Sequence, residues 1–231
     1  MMRGGSTALV AALLGAGCLA PAAQAAELEV RGPQDGGFTM RVTSLREARF
    51  QHTLRQQFDF SCGSAAIVTL LNFHYGQRVT EREVFAQMFE KGEQAKIRKE
   101  GFSMLDMKRY LASRGFIADG FEQPIERLLQ EKLPAIVLVS ERGYRHFVVV
   151  KGIARGRLLI GDPAMGTRTL SLERFKQLRA NNILFVIHNR RDMARFNDSG
   201  DWRVAPAAPL AAAVDQSRLL ESLPMRRGGG Y

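Results

Sequence analysis

RQQFDFSCGSAA, at residues 55–66, places Cys62 just before a run of small and apolar residues. Ser61 can cap a helix there, which Gly76 ends. The helix would turn its apolar positions inward: Ala65, Ala66, Ile67, Leu70, Leu71 and Phe73. Unpaired backbone N–H groups and the helix dipole stabilise a thiolate at such a helix start, so we expect a lowered pKa for Cys62. The stretch predicts a reactive thiol, against the alternative of a small buried hydrophobic side chain.

Helix signals continue beyond this stretch. Thr80 and Glu83 form the pattern of a capping box at the start of a second helix. Ser103 can cap a third helix that Gly115 ends, and Pro124 fits the first turn of a fourth. Between the second and third helices, residues 91–101 are polar and predict a mobile loop, which could form a rim that recognises substrate.

Short apolar runs dominate the second half of the chain. Three of them, at residues 135–139, 146–150 and 157–160, are separated by glycines and predict an antiparallel meander. A helix near residues 171–178 and a last strand at residues 183–187 follow. Helices first and strands second predict an α+β fold, with N-terminal helices packed on an antiparallel sheet.

The first 25 residues have the pattern of a signal peptide. Arg3 supplies a positive start, residues 8–20 are apolar but too short to span a bilayer, and residues 23–25 read Ala-Gln-Ala. We expect cleavage after Ala25 and export to the periplasm. Two alternatives stay open, which are lipidation at Cys18 and retention of the segment as an uncleaved anchor.

Processing at this position would leave Cys62 as the remaining cysteine, which cannot form an internal disulfide. The rest of the chain divides into three parts. Residues 26–49 predict a lead-in of one or two short strands, residues 50–189 one globular domain, and residues 190–231 a mobile tail in which apolar periodicity fades. We expect that deletion of residues 195–231 leaves a folded domain.

The net charge of +10 and the pI of about 10.2 favour anionic partners without naming one. The basic residues are not interleaved with aromatic ones, so a specific nucleic-acid interface is disfavoured. His52, His74 and His188 show no ligand spacing, and we expect neither a metal nor a cofactor.

A nucleophilic thiol needs a general base, and His146 begins the second apolar run. Asp162 ends the neighbouring run, and a hairpin can bring the two residues side by side. We expect Asp162 to accept a hydrogen bond from one ring nitrogen while the other faces Cys62. Gln56 could hold the oxyanion together with the Cys62 N–H, although Gln57 competes for this position. Alone, His146 would be a packing residue at a strand edge and Asp162 a turn residue.

These motifs together resemble peptidase family C39, the papain-like domains known for trimming double-glycine leader peptides at bacteriocin exporters. The matching segments are residues 56–63, Ala65-Ala66, the strand His146-Phe147-Val148-Val149-Val150, and Asp162-Pro163 followed by Gly166, within residues 50–188. The resemblance implies a papain-like fold with Cys62 as nucleophile, His146 as base, Asp162 as the orienting acid and Gln56 as oxyanion donor. We expect no exporter membrane domain or nucleotide-binding segment, and the signal-peptide pattern would place the domain outside the cytosol, whereas the exporter-linked members work on its inner side. The cleavage motif of the exporter-linked members therefore does not carry over.

Among stand-alone exported members, the chain is similar to the peptidases that accompany bacterial functional-amyloid secretion. The expected function is a periplasmic cysteine peptidase that acts on a peptide or protein partner, such as a secreted or amyloid-forming protein, through a thioester. Two other classes stay open. The chain could be a non-catalytic peptide-binding module of a secretion pathway, or an acyltransferase on the same scaffold.

Overall fold

A computed structural model describes residues 26–31, 37–58 and 60–205 of the chain. Strands β1 (Ala26–Arg31) and β2 (Gly37–Val42) form an antiparallel hairpin. The predicted signal peptide lies outside the described residues, as do residues 206–231 of the predicted tail. No helix within the described ranges is long and apolar enough to cross a membrane.

Helices fill the chain from residue 45 to residue 113. They are α1 (Leu45–Phe50), α2 (Cys62–Thr69), α3 (Glu81–Lys91), α4 (Gln94–Glu100) and α5 (Met104–Ser113), and α2 continues as a π-helical turn, Leu70–His74. The predicted mobile loop at residues 91–101 is wrong, because α4 occupies most of it and buries Ile97. A single buried position in seven residues is too weak a pattern to predict a helix.

The predicted helix caps have three different outcomes. Ser103 and Asp106 form a complete capping box at α5, and the Thr80 hydroxyl accepts the Glu83 N–H at α3. Ser61 precedes α2 without a side-chain cap, because its hydroxyl binds the Glu81 carboxylate at 2.7 Å instead. A tertiary contact therefore replaces the local cap that the sequence suggested.

The second half of the chain builds one six-stranded antiparallel sheet in the order β3-β8-β4-β5-β6-β7. Its elements in chain order are β3 (Ala118–Glu122), α6 (Arg127–Glu131), β4 (Ala135–Glu141), β5 (Tyr144–Ala154), β6 (Arg157–Asp162), β7 (Gly166–Ser171), α7 (Leu172–Leu178) and β8 (Ile183–Ile187). The predicted meander β4-β5-β6 and the α+β class are confirmed. Edge strands β3 and β7 were not predicted, since they are half exposed and lack a continuous apolar run.

Strand β5 is buried on both faces, which explains its unbroken apolar sequence. Phe147 and Val149 belong to the core that includes α2. Val148 and Val150 belong to a second core that includes Phe175 of α7. The sheet therefore separates two apolar layers, and Phe147 near the start of β5 meets Cys62 at the start of α2 through its backbone N–H.

Residues 190–205, which we call the C-terminal strap, are folded. The predicted mobile tail is therefore wrong for this segment. The strap contains a 3₁₀ turn (Arg191–Met193) and α8 (Ser199–Trp202). Its Asn197 amide binds both the N–H and the carbonyl of Ile153, at 2.7 and 3.0 Å, and a Cβ on Gly152 would overlap the Asn197 Oδ1. The strap is held by hydrogen bonds and ion pairs, which apolar periodicity does not reveal, and deletion of residues 195–231 should therefore destabilise the domain.

Candidate active site

Cys62 is the first residue of α2 and is 7% exposed. Gly63 follows it for a steric reason, because a Cβ at this position would lie 2.9 Å from the Phe102 Cβ. The tight approach of Phe102 brings the loop before α5 against the start of α2. The thiol is thereby placed at the floor of a cleft and not on an open surface.

Burial raises the pKa of the Cys62 thiol above its ordinary value. The backbone N–H groups of Phe147, Gly63 and Cys62 itself act in the opposite direction, and the negative charge of Asp162 adds to the increase. The expected low pKa is therefore wrong for the resting structure, since loss of hydration outweighs the helix start. The thiol needs a base that removes its proton during the reaction.

His146 and Asp162 lie on one face of the sheet. Val150 is opposite Ile160 in the β5–β6 ladder, and side chains two residues apart in a strand share a face. The His146 Nε2 and the Asp162 Oδ2 are 3.1 Å apart, and the two side chains are 5% and 0% exposed. The predicted hairpin pairing of these two residues is present in the structure.

The Asp162 carboxylate is fixed at both oxygens. Oδ1 accepts the backbone N–H groups of Ala164 and Met165 at 2.9 and 3.2 Å, while Oδ2 also accepts Arg168 Nη2 at 3.0 Å. Burial alone would raise the pKa of Asp162, but the His146 hydrogen bond, the Ala164 N–H and the Arg168 charge together lower it. Asp162 is therefore an ionised acceptor for the Nε2–H of His146 at neutral pH.

The other ring nitrogen of His146, Nδ1, is buried and has no hydrogen-bond partner among the described residues. Tyr144 stacks on the ring, with centroids 5.3 Å apart. No hydrogen bond joins His146 to Cys62 in the described part of the chain, so the predicted contact between them stays a prediction. The base is held by Asp162 on one side, and the nitrogen that could accept the thiol proton is free.

Gln56 is partly buried, and its backbone N–H donates to the Pro163 carbonyl at 3.0 Å, which joins it to the turn after Asp162. Its side-chain Nε2 donates to the Phe58 carbonyl at 3.2 Å, and its Oε1 is buried without a partner in the described residues. Gln57 is exposed. The structure thus brings Gln56, and not Gln57, to the Asp162 turn, although the Gln56 amide is engaged with its own loop.

A cavity of about 640 Å³ includes Cys62 in its lining. Helix α4 and the start of α5 form one side of this cavity, with residues such as Lys96, Ile97 and Phe102, and strand residues Leu138, Arg145 and Phe147 contribute the other. The lining therefore mixes apolar and charged side chains of both signs. Such a cleft has the size and chemistry to hold a peptide segment against the thiol.

Three charged residues near the site were missed by the sequence reasoning. Arg168 binds Asp162 and Glu141, and the buried Glu81 accepts hydrogen bonds from the Ser61 hydroxyl and the Gln57 N–H. The signal for Arg168 was its place six residues after Asp162, across a tight hairpin. Among the described side chains, no three of His, Cys, Asp or Glu lie together as a metal site would require.

Residues 51–191 match the family model described as the peptidase C39 family. The chain belongs to the peptidase C39 family. It is 38% identical over 204 residues to the probable functional amyloid protease FapD of Pseudomonas aeruginosa, which covers 88% of this chain and 86% of the relative. It is 40% identical over 172 residues to the FapD protein of Pseudomonas fluorescens, with 74% of each chain covered.

The peptidase domain of Streptococcus ComA, described as a bi-functional ABC transporter involved in quorum sensing, is a solved structure similar to this C39 chain. It aligns with a TM-score of 0.49 and 23% identity over 59% of this chain and 98% of the other. The family membership confirms the predicted C39 resemblance and its papain-like α+β fold. The protein is a cysteine peptidase.

Proposed function

We propose that this C39 peptidase is exported to the periplasm and cleaves a peptide or protein partner that belongs to a functional-amyloid secretion pathway. The signal-peptide pattern of residues 1–25 supports export. Two FapD proteins, each described as a probable functional amyloid protease, support the pathway. We propose residues 50–189 together with the C-terminal strap as the catalytic domain.

One observation carries the mechanism, which is the His146–Asp162 hydrogen bond on the strand whose residues Arg145 and Phe147, on either side of His146, line the same cavity as Cys62. In the tautomer that donates its Nε2–H to the ionised Asp162, the His146 ring has a lone pair on Nδ1. Nδ1 then takes the thiol proton as Cys62 Sγ attacks the scissile carbonyl carbon. The same proton goes to the leaving amine, and a thioester forms on Cys62. Water, deprotonated by Nδ1, hydrolyses the thioester and releases the new carboxylate.

The tetrahedral intermediate needs donors for its oxyanion, and we assign the Gln56 amide and the Cys62 N–H to this role. Gln56 Nε2 must leave the Phe58 carbonyl when substrate arrives. The main-chain bond between Gln56 and Pro163 keeps the residue beside the Asp162 turn during that rotation. The resting hydrogen bond to Phe58 is then exchanged for one to the oxyanion.

Gln56→Ala is expected to lower turnover by about 10²–10³-fold, the usual effect of removing one oxyanion donor. Alkylation of Cys62 by iodoacetamide should be unchanged, because the variant leaves the thiol and His146 in place. Gln57→Ala is the matched control and should process substrate normally. A large loss with Gln57→Ala and none with Gln56→Ala would reverse this assignment.

We assign substrate recognition to residues 91–101, as the sequence suggested, but through a helix and not through a mobile loop. Glu93, Lys96, Ile97 and Glu100 line the cavity that reaches Cys62. Ile97 is buried and anchors the helix, while its charged neighbours face the cleft rim. This arrangement supports a rim that selects peptides by apolar and charged contacts together.

The chemistry of the product tests the proposal against its alternatives. The purified protein is incubated in ¹⁸O-labelled water with exported proteins from a strain that lacks it, and new peptide termini are mapped by mass spectrometry. A peptidase creates new carboxyl termini that contain ¹⁸O. An acyltransferase yields acylated amines without the label, and a binding module creates no new terminus; either result would refute the peptidase proposal.

A further inference from the structure

Four charged or titratable side chains meet at one end of the sheet, one from each of four neighbouring strands. They are Glu141 at the end of β4, His146 near the start of β5, Asp162 at the end of β6 and Arg168 in β7. The register explains this meeting. Glu141 lies opposite Tyr144, which shares a face with His146, and Arg168 lies opposite Ile160, which shares a face with Asp162.

One nitrogen of Arg168 contacts both carboxylates of this group, Glu141 and Asp162. Its Nη2 lies 2.9 Å from Glu141 Oε2 and 3.0 Å from Asp162 Oδ2. Its side chain is only 15% exposed, and Asp162 is fully buried. The guanidinium is thus sandwiched between two carboxylates, and one of them carries the hydrogen bond to His146.

The two oxygens of Asp162 are held by different groups. Backbone N–H groups of the turn hold Oδ1, and Arg168 and His146 share Oδ2. Without Arg168, the carboxylate would keep its turn contacts but lose the donor that fixes Oδ2 on the sheet side. Its buried negative charge would also lose its nearest full positive charge.

We infer that Arg168, braced by Glu141, is a positioning residue that fixes Asp162 behind His146 and offsets its negative charge at the thiol. This inference rests on the proposed roles of Cys62, His146 and Asp162. Arg168 is not among the residues that line the cavity. Its effect on catalysis passes through Asp162.

The electrostatic consequence has a definite sign. The charged and titratable groups that act on one another here are Cys62 of α2, Glu141 of β4, Tyr144 and His146 of β5, Asp162 of β6 and Arg168 of β7. The charge of Asp162 already raises the pKa of the Cys62 thiol. Loss of the positive charge on Arg168 leaves that carboxylate uncompensated, so the thiolate becomes harder to form.

The test measures the rate of Cys62 alkylation by iodoacetamide against pH, with the site of labelling confirmed by mass spectrometry. Arg168→Gln is expected to move the midpoint of the alkylation curve upward by about one pH unit, which is the order of magnitude for removal of one partly buried charge near the thiol. Arg168→Lys, which keeps the charge, should restore most of the wild-type midpoint. Glu141→Gln removes the brace but leaves the charge of Arg168 in place, so its midpoint should move less than that of Arg168→Gln.

Arg174→Gln on α7 is the matched control, since it removes the same charge from an exposed position. A midpoint for Arg168→Gln that moves no further than that of Arg174→Gln would overturn the inference, as would a failure of Lys to rescue it. If Arg168→Gln does not fold, Arg168→Met, which keeps the apolar stem and removes the charge, is measured in its place, and a wild-type midpoint for that variant refutes the inference. The alkylation readout needs no substrate, so failure of the peptidase proposal would be seen separately in the processing assay.

Discussion

Cys62→Ala is expected to abolish processing of the exported partner while the protein stays folded. Removal of a catalytic nucleophile typically lowers turnover by about 10⁶-fold, because the remaining groups cannot form the covalent intermediate. The substitution removes a single sulfur atom at the edge of the core, so its cost in stability should stay within about 1–2 kcal/mol. Mass spectrometry of secreted proteins and thermal unfolding of the variant measure the two effects.

Ser64→Ala is the matched control for this variant. Ser64 lies two residues further along α2, is fully buried, and its hydroxyl donates to the Ser61 carbonyl at 2.9 Å. Its removal perturbs the same helix start without touching the proposed chemistry, so processing should continue. Normal processing by Cys62→Ala would remove the thiol from the mechanism, and a non-catalytic peptide-binding module would then be the better explanation.

The parts of the site that the sequence predicted are those with local signals. A cysteine before a small apolar run predicted the start of α2, and two apolar runs joined by glycines predicted the His146–Asp162 pairing. Both depend on residues near one another in the chain or on a short hairpin. The resemblance to C39 motifs then implied which role each of these residues has. The structure places His146 and Asp162 in a direct hydrogen bond.

The parts that the sequence did not predict depend on distant partners. The acidity expected of Cys62 came from its helix start, whereas burial of the thiol by the surrounding fold raises its pKa. The contacts of Arg168 with Glu141 and Asp162 exist only because the fold brings β4, β6 and β7 together at one end of the sheet. A helix dipole is a local property, but hydration and charge pairing are set by the whole fold.

The strap is the clearest case of such a long-range contact. Lys151 of β5 is fully buried, and its Nζ donates to the His52 carbonyl at 2.7 Å and lies 3.0 Å from Asp201 Oδ2. Asp201 Oδ1 also lies 2.7 Å from the Nδ1 of His52, although the two residues are 149 positions apart. One carboxylate therefore joins the strap, the central strand and the segment that leads to Gln56.

Asp201→Ala is expected to destabilise the protein by about 3–5 kcal/mol, because it leaves the Lys151 ammonium buried without its carboxylate. Asp192→Ala is the control within the same strap. Asp192 is exposed, and its removal should change the free energy of unfolding by less than about 0.5 kcal/mol. Urea unfolding of the two variants and of the wild type measures the difference.

The pH dependence separates the ion pair from a general loosening of the strap. Burial already lowers the pKa of Lys151, with Asp201 opposing that effect, and loss of Asp201 lowers it further. A lysine whose pKa is lower when folded than when unfolded binds more protons in the unfolded state, so stability rises with pH between the two values. The gap in stability between Asp201→Ala and the wild type should therefore narrow as the pH is raised from about 7 towards 10. A gap that stays constant over this range would mean that the strap is held by its Asn197 contacts, and that the Lys151–Asp201 pair contributes little.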